Sequence, residues 1–365
     1  MKFGIITHYD VHNHGAILQL NALKEFLSGK GIEAQALQFD KNYDFMGVEL
    51  KAKYNISLKS IGIYTRYLWN EGPAKTLFNY RKRNILNEFK RTHRLIGPYY
   101  SKAGQMDATV IGSDEVFALH TGPTPCLFGH ACPGRNVFAY AGSFGPTTFE
   151  EIEKRNCIPF VKSGLENMTG ISVRDQNSFS IVSRLLRQDP VLVCDPVLLY
   201  GYEKERASFK NKKIDLPPYL LVYAYDNRMN DKEEIAAIRK YANDNGLKIV
   251  SVGFYHAWCD QNINIDPIEL LNYFACASAI VTDTFHGVIM SILNHGNFAV
   301  ILRDNKNKLF HLLSEYKLTD RIVPDLSGLT SILSKGIDYN QVDGILQERR
   351  SVSASYLDSM IQLCR

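Results

Sequence analysis

The chain has 365 residues, of which 45% are hydrophobic and 22% charged, and its formal net charge is +4. This composition excludes a disordered chain, a collagen-like chain and a long coiled coil, and the length predicts two domains. The mild positive charge suits an anionic small substrate or an anionic surface, but it falls short of the strongly basic character of nucleic-acid-binding proteins, so we expect no nucleic acid partner.

The first forty residues predict one βαβ unit. Phe3 to Thr7 is a short apolar strand, and a polar loop follows over residues 8–15. Apolar residues then recur at helical spacing from Ala16 to Leu27, and glycines end this helix before a second strand over Ala34 to Phe39. This order favours parallel strands joined by right-handed crossovers.

Residues 41–105 are aromatic and basic, and we expect them to form a mostly helical insertion. Between Tyr80 and Arg94, six Lys or Arg residues stand against one acid. Our main interpretation is a single exposed helix face; the alternative is contact with an anionic membrane or a diphosphate-linked lipid acceptor. Further strands are predicted at Ala108–Ile111, Asn136–Ala141, Gly170–Val173 and Val191–Cys194.

The second half repeats the βα rhythm after a polar, lysine-rich stretch at 206–218, which is the predicted linker. We predict an N-terminal α/β domain over 1–205 and a C-terminal α/β domain over 219–345. A final helix over 346–365 could pack back on the N-terminal domain. The expected fold class is therefore α/β, with two Rossmann-like domains that face each other across a cleft.

Seven scattered cysteines without a CxxC pair favour a reducing compartment and argue against a structural zinc site. No uncharged apolar run approaches the roughly 18–20 residues that span a bilayer. The first apolar stretch is also shorter than that of a signal peptide. We therefore expect a cytoplasmic protein.

Sites in such folds lie beyond the carboxyl ends of the strands, and five polar clusters occupy that position. They are His8 to Gly15, Val110 to Glu115, Ala139 to Gly145, Ile171 to Asp175 and Val281 to Gly287. Arg174 and His286 are the candidate catalytic residues. The candidate substrate-binding residues from these clusters are His14, Gly15, Gly112, Ser113, Asp114, Ser143, Asp283 and Gly287.

His286 is the strongest single candidate. Thr284 can cap the helix that follows the strand, which places His286 in the first helical turn, facing the proposed cleft. The helix dipole there lowers the pKa of a histidine, whereas a bound phosphate or carboxylate raises it. A histidine whose pKa lies near neutral pH only when an anion is bound suits a general acid.

Each candidate also has a structural interpretation. Arg174 could form a salt bridge with Asp175 or with a neighbouring carboxylate, and His286 could be a satisfied core histidine. Asp283 could serve as a helix N-terminal charge or orient another residue. The remaining polar candidates could cap helices, end strands or belong to a simple polar loop; they are His14, Ser113, Asp114 and Ser143.

In their order and wording, the clusters together resemble the polysaccharide pyruvyl transferase family. The resemblance spans roughly residues 1–320. The family's usual Trp after the Gly-Ser-Asp turn is Phe117 here, a departure that bears on the acceptor pocket. The matching segments are His14 to Gln19, Gly112 to Phe117, Ala139 to Gly145, Ile171 to Asp175, Asp195 to Leu199 and Asp283 to Gly287.

This resemblance implies a GT-B-like fold and the transfer of a pyruvyl group from phosphoenolpyruvate to a saccharide, usually as a ketal across two hydroxyls. It associates the arginine at Arg174 and the histidine at His286 with the donor and its protonation. A further basic residue follows the histidine by about twenty positions in the family. Lys306 is the nearest match, with Lys308 and Arg303 as alternatives.

The implied acceptor is a lipid-linked or nucleotide-linked saccharide in cell-surface polysaccharide biosynthesis, with membrane contact that is at most peripheral. No step of the implied reaction requires a metal or a redox cofactor. Two other functions fit the same sequence. One is a GT-B glycosyltransferase that uses a nucleotide sugar, and the other is a non-catalytic carbohydrate-binding or assembly subunit.

Overall fold

The computed structural model describes residues 1–40, 58–209, 212, 214–303 and 307–365. For residues 58–70 and 307 it describes the backbone alone. The candidate residue Lys306 lies outside the described residues, as does the first part of the predicted helical insertion, residues 41–57.

The strands of the first half form a seven-stranded sheet in the order β3-β2-β1-β4-β5-β6-β7, and all neighbours pair in parallel. The order reverses direction between β1 and β4, which is where doubly wound sheets bind ligands. The strands are β1 (Lys2–Ile6), β2 (Glu33–Gln38), β3 (Ile96–Tyr99), β4 (Met106–Ile111), β5 (Gly134–Gly142), β6 (Gly170–Val173) and β7 (Val191–Leu192).

The second half forms a five-stranded parallel sheet in the order β10-β9-β8-β11-β12, with its reversal between β8 and β11. All five residues of β8, the central strand, are buried, as expected where helices cover both faces of a parallel sheet. The strands are β8 (Tyr219–Tyr223), β9 (Lys248–Val252), β10 (Gln261–Ile263), β11 (Ala279–Thr282) and β12 (Phe298–Val300).

Helices connect the strands of both sheets, and several begin at an Asn, Asp or Thr residue whose side chain accepts a hydrogen bond from an N–H group of the first turn. They are α1 (His14–Gly29), α2 (Leu58–Thr92), α3 (Phe149–Lys154), α4 (Ile158–Glu166), α5 (Gln176–Leu186), α6 (Pro196–Tyr200), α7 (Glu203–Phe209), α8 (Lys232–Asp244), α9 (Pro267–Cys276), α10 (Phe285–Leu293), α11 (Asn307–Glu315), α12 (Leu329–Leu333) and α13 (Tyr339–Leu363).

Two strands were not predicted from the sequence. The predicted helical insertion contains β3, whose Gly97 and Pro98 weaken any strand pattern, although proline is tolerated in a strand at the sheet edge. The helix before it, α2, is interrupted at Gly72 (φ 76°, ψ 162°), directly before Pro73. In the second half, the short edge strand β10 has no counterpart among the predicted strands.

The predicted linker at 206–218 begins inside a helix. Its first residues, 206–209, end helix α7, which carries Glu203 and Glu205 in its first turn. Acidic side chains there favour helix formation because they oppose the positive end of the helix dipole.

The last helix, α13, crosses the predicted boundary at residues 345 and 346 without interruption. Its second part contacts the first sheet, since the Tyr356 hydroxyl donates a hydrogen bond to the carbonyl oxygen of Ala139 at 2.8 Å. Ser353 Oγ accepts a hydrogen bond from the backbone N–H of Cys194 at 2.9 Å. None of the helices in the described part of the chain is both long and apolar enough to cross a membrane.

Helices α1 and α2 join the two halves. Asn264 of the second half donates a hydrogen bond to the carbonyl oxygen of Phe78 in α2 at 2.8 Å, and Lys82 lies 4.1 Å from the ring of Phe254. The carboxyl ends of both sheets border the same cleft, so the residues that follow these strands meet there.

Candidate active site

The cleft between the two sheets has a volume of about 550 Å³ and is lined mainly by residues that follow strands of either sheet. Its walls carry both signs of charge. The titratable residues that line it include His8, Asp114, Glu115, His120, Arg174, Arg228, Asp283, His286, Arg303 and Lys308.

His286 reaches this cleft from the first turn of α10. The cap predicted for this helix is present, because Thr284 Oγ1 accepts a hydrogen bond from the N–H of Gly287 at 3.0 Å. The imidazole is 13% exposed, and its Nε2 makes no hydrogen bond with any described residue. Burial is the largest cause that lowers the pKa of His286, and the carboxylate of Asp195 opposes it.

Two glycines allow the imidazole to occupy this position. A Cβ atom at Gly15 would lie 2.4 Å from Cγ of His286, so only glycine lets α1 approach the ring this closely. A Cβ atom at Gly287 would lie 2.1 Å from Oγ1 of Thr282. Both residues were predicted to bind substrate, and the structure places both in the packing around His286.

Arg174 enters the cleft wall from the end of β6 and is held by two carboxylates. Its Nη1 donates to Asp195 Oδ2 at 2.7 Å, and its Nη2 donates to Asp114 Oδ1 at 3.0 Å. The guanidinium also lies 4.6 Å from the ring of Phe285, and the side chain is 1% exposed. The alternative partner Asp175 instead accepts hydrogen bonds from the hydroxyls of Ser143 and Ser178.

Asp195 connects the two candidate catalytic residues. Its Oδ2 lies 2.7 Å from Arg174 Nη1 and 3.8 Å from His286 Nε2. It was not among the predicted site residues because Asp195-Pro196 is a typical helix start, and its Oδ1 does cap α6 through the N–H of Val197 at 2.9 Å. Its place in the matching segments was the available signal.

Asp114 lies in the same cluster and stays ionised. Burial is the largest single effect and raises the pKa of its carboxyl, but the positive charges of Arg174, His8, Lys308 and His286 together outweigh it. The pKa of Asp114 is therefore well below its ordinary value. Together with Asp195, it compensates the charge of Arg174.

A second ionic cluster lies across the cleft at the ends of β11 and β12. Arg303 Nε donates to Asp283 Oδ2 at 2.8 Å, and its Nη1 donates to Glu234 Oε1 at 2.5 Å. Burial raises the pKa of Asp283, and the hydrogen bond from Arg303 opposes that shift. Arg303, one of the alternatives to Lys306, is thus paired with two carboxylates.

Two more cations are available at the cleft. Lys308, the other alternative to Lys306, pairs with Glu115. Arg228 lies 4.0 Å from Asp283 at the closest approach of their charged atoms, and its side chain is 36% exposed. Arg228 follows β8 in a stretch without a recognisable motif, which is why no sequence pattern identified it. It is the least strongly paired of the four Lys and Arg residues that line the cleft in the described chain.

Four predicted substrate-binding residues lie behind the cleft wall. A hydrogen bond of 2.8 Å joins His14 Nε2 and the carbonyl oxygen of Ile265, and burial lowers the pKa of His14 to about 3. Ser113 Oγ donates to Gln19 at 3.0 Å, and Ser143 Oγ donates to Asp175 at 2.7 Å. A Cβ atom at Gly112 would lie 2.2 Å from the carbonyl oxygen of Tyr140.

The structure therefore brings together Arg174, Asp114, Asp283 and His286, and it places Gly15 and Gly287 directly against or beside the histidine. Within the described residues, no group of three or more His, Cys, Asp or Glu side chains is arranged to hold a metal ion. The cleft can therefore bind an anion beside the imidazole of His286, which is largely buried in the cleft wall.

A family model described as polysaccharide pyruvyl transferase matches residues 13–305 of the chain. A search of curated proteins finds no significant match. Similar solved structures include a complex of S. aureus MnaA with UDP, with a TM-score of 0.52 and 10% identity, covering 99% of this chain and 96% of that one.

A second similar structure is the UDP-GlcNAc 2-epimerase from Neisseria meningitidis bound to UDP-GlcNAc. Its TM-score is 0.51 at 11% identity, and the match covers 99% of this chain and 100% of that one. At these identities the likeness concerns the fold alone. It confirms the predicted fold class, two Rossmann-like domains in a GT-B-type arrangement.

Proposed function

Because this chain belongs to the polysaccharide pyruvyl transferase family, we propose that it transfers a pyruvyl group from phosphoenolpyruvate to two hydroxyls of a saccharide and forms a ketal. One observation carries the proposal. The imidazole of His286 has an Nε2 that makes no hydrogen bond with any described residue, in a cleft that four Lys or Arg side chains line. We place the reaction in the cytoplasm, with a lipid-linked or nucleotide-linked saccharide as acceptor.

The donor carries a phosphate and a carboxylate, and both need cations. Arg174 and Arg303 are each paired with two carboxylates, so much of their charge is already compensated. Arg228 is the most available cation, and Lys308 has Glu115 as its single carboxylate partner among the described residues. We assign Arg228 and Lys308 to the anionic groups of the donor.

Arg174 then acts mainly as a positioning residue. Its guanidinium holds Asp195 at 2.7 Å, and Asp195 lies beside the histidine. Its Nε makes no hydrogen bond with any described residue, and the side chain is buried in the cleft wall. A rigid, charged support of this kind keeps an acid aligned with its substrate.

His286 supplies the proton that starts the reaction. The protonated imidazole transfers its proton to the methylene carbon of the donor, which leaves cationic character at C2. The oxygen of the first sugar hydroxyl bonds to C2, the bond between C2 and the phosphate oxygen breaks, and the second hydroxyl closes the ketal. Of the two hydroxyl protons, one returns to the imidazole and the other leaves with phosphate. One such acid contributes typically 10²–10⁴-fold to the rate.

The charge state of His286 follows from its surroundings. Burial lowers its pKa, so the imidazole is mostly neutral at pH 7 before the donor binds. A donor with several negative charges stabilises the imidazolium, as Asp195 and Asp114 already do in part. Donor binding and uptake of the catalytic proton are thus coupled.

The test is ligand-dependent thermal stability followed by product analysis. We expect phosphoenolpyruvate to raise the melting temperature, and we expect the Arg228→Gln variant to lose most of that rise. With a saccharide acceptor, release of phosphate must accompany a pyruvylated sugar in the mass spectrum. An enolpyruvyl product would come from the same donor and have the same mass as the ketal, so proton NMR must show a methyl group, as in the ketal, and no vinylic protons; vinylic protons would overturn ketal formation.

The alternatives give different results. Stabilisation by UDP-GlcNAc without any effect of phosphoenolpyruvate would favour the glycosyltransferase and overturn the proposal. Stabilisation by a saccharide alone would indicate a non-catalytic binding subunit. The Arg184→Gln variant is the matched control, because Arg184 is an exposed arginine paired with Glu150 outside the cleft.

A further inference from the structure

A second concave surface lies beside the cleft. We call it the basic groove; its volume is about 660 Å³, and α2, the loop after β1 and the neighbouring strands β2 and β3 line it. Its charged or titratable lining residues include Asp10, His12, Arg83, Lys90, Arg91 and Arg94. Four full positive charges therefore face one carboxylate within a chain whose net charge is only +4.

The positive charge of the groove comes from α2 and from the turn that follows it. Arg83, Asn87 and Lys90 follow one another at intervals of four and three residues, which places them on the same side of α2, and Arg94 lies in the turn just after the helix ends at Thr92. Cations near the end of α2 also complement the negative end of the helix dipole. That effect is confined to the last turn, so it does not account for Arg83, which lies well inside the helix.

Most of this positive charge has no compensating partner in the described chain. Arg91 forms a two-bond ion pair with Glu88, with distances of 2.5 and 3.0 Å. Arg83 and Arg94, in contrast, make no ion pair with any described residue. Burial lowers the pKa of Lys90, and the charge of Arg83 lowers it further, while Asp10 opposes both.

Besides burial, the same excess of positive charge lowers the pKa of His12. Burial lowers the pKa of its imidazole, and Lys90 and Arg83 lower it further. Since like charges held together repel, an anion that entered the groove would relieve this repulsion. The guanidinium groups of Arg83 and Arg94 can each donate two parallel hydrogen bonds to phosphate oxygens.

A single loop separates the groove from the cleft. His8, Val11 and Asn13 of this loop line the cleft, whereas its residues Tyr9, Asp10 and His12 line the groove. The two cavities therefore share a wall that is only one chain segment thick. A ligand that reaches across this loop would place an anionic part in the groove and a sugar part in the cleft.

We propose that the basic groove binds the diphosphate that links the acceptor saccharide to its carrier, while the saccharide reaches the donor in the cleft. The inference rests on the proposed function for the identity of the ligand, but the binding of a diphosphate can be measured without catalysis. A nucleotide carrier and a lipid carrier present the same chemistry to the groove, since both attach a sugar through a diphosphate.

The first experiment measures the binding of inorganic pyrophosphate by calorimetry at low ionic strength. We expect the Arg83→Gln/Arg94→Gln variant to bind pyrophosphate at least about tenfold more weakly than the unmodified protein, because each lost contact is a hydrogen bond to a charged group. The Lys162→Gln/Lys240→Gln variant removes two exposed lysines elsewhere and should bind as the unmodified protein does. Equal binding by all three proteins would overturn the proposal.

The Arg228→Gln variant separates the groove from the cleft. We expect it to keep pyrophosphate binding and to lose stabilisation by phosphoenolpyruvate, and we expect the opposite for the Arg83→Gln/Arg94→Gln variant. If pyrophosphate binding depends on Arg228 and not on the groove arginines, the groove assignment is wrong while the proposed function stands. If phosphoenolpyruvate fails to stabilise any of the proteins, the proposed function fails instead.

The last arm identifies the source of the phosphates. UDP-GlcNAc tests a nucleotide carrier, and phosphatidylcholine vesicles with a polyprenyl diphosphate test a lipid carrier; binding of either one through the groove arginines supports the proposal. Vesicles of phosphatidylglycerol test a plain anionic surface. Binding to phosphatidylglycerol vesicles without binding to pyrophosphate, UDP-GlcNAc or the polyprenyl diphosphate would overturn the proposal and assign the groove to a membrane surface.

Discussion

His286 and Arg174 come from opposite halves of the chain and meet at one oxygen of Asp195. The two oxygens of this carboxylate have separate tasks, because Oδ1 caps α6 while Oδ2 faces the guanidinium and the imidazole. Burial alone would leave the histidine neutral, and the carboxylate partly restores its affinity for a proton. At the scale of residues, the carboxylate that His286 and Arg174 share raises the pKa of the proton donor.

This arrangement predicts the pH dependence of the reaction. The acid must be protonated, and burial holds the pKa of His286 in the free protein below its ordinary value. The value of kcat/KM should therefore fall as the pH rises above that lowered pKa, by about tenfold per pH unit once the imidazole is mostly neutral. We expect His286→Asn to lower the rate by about 10²–10⁴-fold and to remove this decline.

The measurement is phosphate release from phosphoenolpyruvate in the presence of acceptor, between pH 6 and pH 9. The His295→Asn variant is the control, since His295 is exposed and paired with Asp343 just beyond the end of α10. A pH profile with the same decline in His286→Asn would show that another group donates the proton.

At the scale of elements, the site depends on how closely α1 approaches α10. The first turn of α1 passes the His286 ring with no space for a side chain at Gly15, and Asn13 caps this helix through the N–H groups of Gly15 and Ala16. The position of α1 and the position of the His286 ring therefore depend on each other. A single methyl group between the two helices has to move one of them.

Gly15→Ala tests this contact. The added Cβ would overlap the imidazole at 2.4 Å, so we expect the ring to be displaced and the rate to fall by about tenfold or more while the protein remains folded. Gly29→Ala, at the other end of α1, meets nothing within 4 Å and should leave the rate unchanged.

The measurements are the reaction rate at saturating donor and the melting temperature, each for both variants. Gly29→Ala should be slightly stabilising, because alanine restricts the unfolded chain more than glycine does. Unchanged activity in Gly15→Ala would mean that the ring can shift without loss of function, and the assigned role of this glycine would be wrong.

At the scale of the whole molecule, two parallel sheets present their carboxyl ends to one cleft, and buried polar contacts hold the halves in register. His14 of α1 lies within 2.8 Å of the carbonyl oxygen of Ile265, in the second half. A Cβ atom at Gly253 would lie 2.8 Å from this imidazole, so the second half is packed directly against it. Helix α13 adds a covalent return to the first sheet.

The buried His14 predicts that the protein loses stability in mild acid. Its pKa is about 3 in the folded protein and about 6.5 in the unfolded chain, so only the unfolded chain takes up a proton between these values. This contribution is complete above pH 6.5 and is lost as the pH falls, by about 1.4 kcal/mol per pH unit.

The measurement compares urea unfolding of the unmodified protein and of His14→Gln at pH 7 and pH 5. Glutamine can still donate a hydrogen bond to Ile265 but does not titrate, so the variant should lose less stability on acidification. Equal losses in both proteins would show that His14 does not control the acid sensitivity of the contact between the halves.

The amino-acid sequence by itself determined the parallel α/β fold class and the position of the site at strand ends. Hydrophobic periodicity and helix caps depend on near neighbours in the chain, so the cap at Thr284 could be predicted directly. The edge strand β3 escaped prediction because its Gly97 and Pro98 carry no strand signal, and only pairing with β2 makes it a strand.

The tertiary structure alone decided which side chains reach the cleft. Ser113 and Asp114 are neighbours in one turn, yet Ser113 points to Gln19 behind the wall while Asp114 reaches Arg174, 60 residues away in the chain. Arg228 lies in no motif and becomes part of the site only because the end of β8 faces the other sheet. Side-chain direction and ion pairing depend on atoms that are distant in sequence, so local sequence patterns do not predict them.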